Sequence, residues 1–162
     1  MMTWTIGAPR ACHQPPTGGL LAGLLLLSLL AVAPARAEQL QRFGNLEVHY
    51  AVLNTTTLAP DIAARYDLPR AENQALINVA GRRMQPDGST IEVPLTIEGT
   101  VANLVGQTRP LQFAEVRDPG AIYYLATATF TDRETLRFKL SVTDRETGLT
   151  HPMRFQKELW LQ

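Results

Sequence analysis

The chain is short of the side chains that do most protein chemistry. Its one cysteine, Cys12, sits near the start of the chain, which excludes an intramolecular disulfide and any multi-thiolate zinc or iron–sulfur site. Fifteen basic side chains are matched by fifteen acidic ones. A protein that tracks phosphates needs a clustered cationic excess, so no nucleic-acid partner is expected. The three serines are Ser28, Ser89 and Ser141, and none stands in a G-x-S-x-G elbow. From residue 38 onward every glycine is isolated, which excludes a glycine-rich phosphate loop.

What is present divides into two unlike parts. Residues 1–19 are polar, carry Arg10 and His13, and hold no acid. An apolar run of 13 residues follows (residues 20–32), then Ala33-Pro34-Ala35-Arg36-Ala37. This three-part order is that of a secretory signal peptide, with cleavage expected after Ala37. The run would span only about 20 Å as a helix, against about 30 Å for a hydrocarbon core, so no membrane span is expected after cleavage. Cys12 precedes the apolar run and cannot be a lipoprotein cysteine, and the long polar lead leaves the true start codon open. The exported chain, residues 38–162, then has thirteen basic and fifteen acidic side chains, a net charge of −2, and no cysteine. A small exported domain without disulfides points to a bacterial periplasm.

Residues 38–162 read as one domain of strands. Leu46, Val48, Tyr50 and Val52 alternate with polar neighbours, as do Ala75, Ile77 and Val79, and Ile91, Val93, Leu95 and Ile97. Residues 85–89 (QPDGS) between the last two sets predict a hairpin turn. The second strand extends to about Leu104 through a bend at Gly99. Further strands are marked by Leu111 and Phe113, by Ile122 to Phe130, by Leu136 to Val142, and by Met153, Phe155 and Leu159. Pro94 and Pro152 fall inside strand patterns, which predicts edges or bulges. Residues 58–66 form one short helical insert, with Pro60 in its first turn, expected to cap an end of the sheets. The fold class is all-β: an antiparallel sandwich of about seven strands.

Few residues carry chemistry. His49 and Glu47 share a strand face, two ligands of a three- or four-ligand metal site. The repeated pentapeptide TDRET, at residues 131–135 and 143–147, brackets one strand and reads as two polar turns rather than as paired catalytic carboxylates. Arg82 and Arg83 read as a solvated hairpin arm. Asn54-Thr55-Thr56 matches a glycosylation sequon and is read as incidental. Tyr123 and Leu125 fall on the face of their strand away from the core, where they form a binding patch or lie beneath the 58–66 segment.

Four stretches, GNLEVHY (44–50), Asn54 with LAPDIA (58–63), NLVGQ (103–107), and residues 111–117 leading to AIYY (121–124), together resemble a bacterial family of exported proteins known as domain of unknown function 4426. The resemblance implies a periplasmic or exported immunoglobulin-like β-sandwich and supplies no activity. The expectation is a non-catalytic module, not an enzyme, that binds an envelope protein or peptide and needs no cofactor. A small-ligand or metal (copper or zinc) carrier centred on His49, Glu47 and Tyr50 is the alternative. Oligomeric state is left open.

Overall fold

The computed structural model describes residues 39–162. The expected signal peptide and its cleavage after Ala37 lie outside the described residues. The described residues form ten strands: β1 (Gln39–Phe43), β2 (Leu46–Asn54), β3 (Gln74–Met84), β4 (Thr90–Glu92), β5 (Leu95–Ala102), β6 (Thr108–Leu111), β7 (Ala114–Asp118), β8 (Ala121–Thr129), β9 (Glu134–Asp144) and β10 (Thr150–Leu159). A larger sheet runs β1-β2-β3-β8-β7, with β4 also paired to β3, and a smaller one runs β10-β9-β5-β6. All pairs are antiparallel. The molecule is the expected all-β sandwich.

The strand count exceeds the expected seven for two reasons. Gln39–Phe43 carries no clear alternation and is drawn into strand by pairing with β2 across the Gly44-Asn45 turn, where Gly44 takes φ 62. Two apparently continuous strands also change sheet midway. Val93-Pro94 lies between β4 in the larger sheet and β5 in the smaller one, and Gln112-Phe113 separates β6 from β7 in the opposite sense. Pro94 is therefore a corner residue, neither an edge nor a bulge, and its missing N–H costs no ladder bond there. Pro152 is on β10, an edge strand, as expected.

Gly99 is not a bend. It faces Leu140 across the β5–β9 ladder, and a Cβ there would meet the Leu140 side chain and the Lys139 carbonyl oxygen, the latter at 3.0 Å. Close approach of two strands, rather than chain reversal, explains this glycine. The core lies between the sheets, with Val48, Ile77, Val79, Tyr124 and Ala126 of the larger sheet over Leu95, Val101, Phe138, Val142 and Met153 of the smaller. Each is buried, and alternation along every strand puts it there. Where β5 leaves the corner, the Leu95 N–H donates to the buried Tyr124 hydroxyl at 2.7 Å. Burial, together with the neighbouring Glu115 carboxylate, raises the pKa of that hydroxyl above the ordinary tyrosine value, against the opposing effects of the Leu95 amide and Arg145.

The helical insert is α1 (Pro60–Arg65), with Pro60 at its start, Asp61 in its first turn and Arg65 in its last. It lies within a longer excursion, closed at its base where the Thr55 hydroxyl exchanges bonds with the Ala71 carbonyl and amide. The Tyr66 hydroxyl donates to Asp118 Oδ2 at 2.5 Å. Asp118 pairs with Ala121, seven residues along β8 from Ala128, which stands in register with Ala75 and hence with Asn54 at the start of the excursion. The segment thus crosses the outer face of the larger sheet instead of capping an end. Leu76 and Leu125 point to that face and are buried.

Candidate functional site

Beside the excursion, the outer face of the larger sheet is open and its side chains are ordered by register. One cross-strand row reads Arg42, Glu47, Arg82, Glu92 over β1, β2, β3 and β4, alternating in charge. The next row reads Leu40, His49, Ala80, with Tyr123 of β8 one step beyond the paired residues Val79 and Tyr124. A third places Ala51 opposite Asn78. Three alanines, Ala51, Ala80 and Ala121, thus stand among large polar side chains. They form the floor of a depression of about 280 Å³ rimmed by His49, Asn78, Arg82, Glu92 and Tyr123.

The rim is held by local bonds. Arg82 donates from Nη1 to the Thr90 hydroxyl at 3.0 Å and from Nη2 to the Gly120 carbonyl at 3.4 Å. Arg42 Nε stands 2.8 Å from Glu47 Oε1, and His49 Nε2 lies 3.6 Å from Glu47 Oε2. Glu47 is 6% exposed, an unusual burial for a carboxylate, and the register of β1 on β2 supplies its cation. The depression offers donors and acceptors of both signs around an apolar floor. No group of three His, Cys, Asp or Glu placed to hold a metal ion occurs among the described residues.

Of the five residues singled out from the sequence, the fold brings three together: His49, Glu47 and Tyr123 share this face. Tyr50 does not join them. Its ring turns inward and lies 4.2 Å from that of Phe155, part of an aromatic file with Phe138 that closes one side of the sandwich. Period-two geometry makes this unavoidable, since Tyr50 is one residue from His49. Leu125 is not an exposed binding residue. It is buried on the face that the excursion crosses. Tyr123, two residues nearer the strand start, remains at the rim.

Glu92 was the residue missed, and Arg82, expected in a solvated arm, is instead half-buried and bonded at the rim. Their signal was present in the hairpin, whose turn fixes which residues of β3 and β4 face each other. Arg83 is not a solvated arm either. Its Nη2 lies 2.7 Å from Asp144 Oδ2 and 3.1 Å from Glu146 Oε2. Both TDRET segments are turns, as read, but they are not equivalent. Asp144 is 3% exposed, and its Oδ1 accepts the Glu146 and Thr147 amides at 2.9 and 3.4 Å. Asp132 instead accepts the Leu161 amide at 3.1 Å. Asn54 of the sequon is buried, and its Nδ2 donates to the Trp160 carbonyl at 2.6 Å, which withholds it from glycosylation in the folded state.

The comparisons with known proteins agree with this architecture. The model of the family "Domain of unknown function (DUF4426)" matches residues 40–162. The crystal structure of a DUF4426 family protein from Pseudomonas aeruginosa is 35% identical, with a TM-score of 0.67, covering 77% of this chain and 96% of that one. Two structures of FetP from uropathogenic Escherichia coli share the fold at lower identity. One, a copper-bound variant, is 12% identical with a TM-score of 0.56, covering 78% of this chain and 97% of that one. The other, the as-isolated protein expressed in the periplasm, is 16% identical with a TM-score of 0.54, covering 76% and 94%. No curated protein matches. Among the described residues no helix is long and apolar enough to cross a membrane. The chain belongs to the DUF4426 family.

Proposed function

We propose that the protein is a non-catalytic, exported binding module that receives a segment of a protein or peptide in the depression on its larger sheet. The observation that carries this reading is the alanine floor of Ala51, Ala80 and Ala121 within a rim of both charges. An open, shallow, apolar floor suits one side chain of a polypeptide, and the rim suits the amides and charges beside it. Placement in the periplasm rests on the signal-peptide pattern of residues 1–37, with FetP as a fold relative produced in that compartment. The test is site-specific photocrosslinking in the envelope, with a benzophenone amino acid at Tyr123 and, as control, at the exposed Asp87 in the turn between β3 and β4. Adducts specific to position 123, and lost when Ala80→Trp fills the floor, support the reading. Adducts that are the same at both positions, or indifferent to Ala80→Trp, refute it.

A second reading is favoured by one contact, the approach of His49 Nε2 to Glu47 Oε2, in a fold whose FetP relative was obtained with copper bound. In that reading the pair supplies two ligands for copper or zinc, and Tyr50 supplies none. Calorimetric titration of both metals into the wild type and His49→Ala decides it. Identical curves end the carrier reading.

A further inference from the structure

The outer face of the smaller sheet gathers three cations without side-chain partners among the described residues. Seven arginines of the described chain, at positions 42, 70, 82, 83, 109, 117 and 145, each have a carboxylate, carbonyl or hydroxyl partner. Arg137, Lys139 and Arg154 are exposed and make no side-chain bond of that kind among the described residues. Register puts Arg154 directly opposite Lys139 across the β9–β10 ladder, with Arg137 two residues along β9 on the same face. Like charges directly opposite destabilise a sheet, so the fold gains nothing from this pairing. Thr100 stands opposite Lys139 on its other side, and Ser141 follows two residues later. Lys139 and Arg154, with the carboxylate of Glu98, border an open dent of about 450 Å³ over Thr100, Ser141 and Pro152.

The geometry points to a docking surface for the anionic headgroups of a phospholipid bilayer, with Arg137, Lys139 and Arg154 meeting phosphates and the Thr100 and Ser141 hydroxyls as neutral donors. Charge complementarity selects an anionic partner, and the composition of the face selects a lipid one. A protein interface carries an aromatic or aliphatic core. Here the apolar residues of β5 and β9 occupy inward positions, and the outward positions hold only threonine, serine, alanine and charged side chains. The dent is too open to enclose a free ion. Glu98 and Glu158 stand on the same face, so its three cations leave a local excess of one positive charge, which on a slightly acidic domain orients the molecule toward a negative surface.

Residues 38–162 contain the complete two-sheet core and are the unit to test. Sedimentation with vesicles of phosphatidylglycerol and phosphatidylcholine is compared with phosphatidylcholine alone, at low and high salt. Binding is expected to the mixed vesicles only, weakened by salt, and reduced about five-fold by each of Arg137→Gln, Lys139→Gln and Arg154→Gln. Glu98→Gln, which removes an acid from the same face, is expected to strengthen it. Lys157→Gln removes a charge from β10 on the opposite parity and is expected to have a smaller effect than any of the three. Equal binding to both vesicle types, or a triple variant that binds like the wild type, overturns the proposal. So does saturable binding of inorganic phosphate, followed by NMR, without vesicle binding.

Discussion

Asp144 is the charge on which most of the loop end of the sandwich depends. Its carboxylate is almost wholly buried, receives two turn amides on one oxygen, and meets the Arg83 guanidinium at 2.7 Å on the other. Asp144→Ala would leave those amides and a largely buried guanidinium without their acceptor. Removing one member of a buried ion pair costs about 3–5 kcal/mol. Glu146, 3.1 Å from Arg83, remains as a second anion, so the lower end, about 3 kcal/mol, is expected. Asp144→Asn keeps one acceptor and the shape, and should cost about 2 kcal/mol. Urea unfolding at neutral pH measures both through the midpoint, with the slope unchanged. Burial acts to raise the Asp144 pKa, but the turn amides, the Thr147 hydroxyl and Arg83 outweigh it and hold the carboxyl below its ordinary value. An acid whose folded pKa is depressed stabilises the fold above its unfolded pKa and loses that contribution as pH falls through the folded value. Acid unfolding of Asp144→Asn should accordingly be less steep than that of the wild type. A midpoint change worth less than about 0.5 kcal/mol for Asp144→Ala, the level of ordinary surface substitutions, would refute the assignment of this ion pair to the buried framework.

Two further substitutions probe the corners and ladders that shape the sandwich. Gly99→Ala forces a methyl against the Lys139 carbonyl and the Leu140 side chain and should cost about 1–3 kcal/mol in thermal or urea unfolding; an unchanged midpoint would mean that β5 and β9 stand farther apart. Tyr124→Phe leaves the Leu95 amide without its acceptor beside Pro94 and should cost about 1–3 kcal/mol, with faster amide hydrogen exchange at Leu95 as the local readout.

Much of the architecture could be read from residue order because period-two alternation is a local property. Leu46 to Val52, Ile122 to Phe130 and Leu136 to Val142 declare which residues face the core whatever their neighbours are, and those strands form where expected. The turn at residues 85–89 was equally local, since Gly88 takes a positive φ that few other residues tolerate. The sheet-changing corners at Val93-Pro94 and Gln112-Phe113 were not, because a strand that leaves one sheet for another keeps its alternation through the corner. For the site, strand parity placed His49 with Glu47, but parity alone does not tell which strand lies alongside.

Composition and pattern by themselves determined the all-β class, the lack of thiols from residue 38 onward and the absence of familiar nucleophile motifs, because each depends on residue type and near-neighbour spacing. Pairing decided the rest. It put Arg82 and Glu92 beside Glu47, turned Tyr50 onto Phe155, laid the excursion across the face to which Leu125 points, and set Lys139 against Arg154. Contacts between residues tens of positions apart arise from register between strands, and register is fixed only when two sheets close over one core.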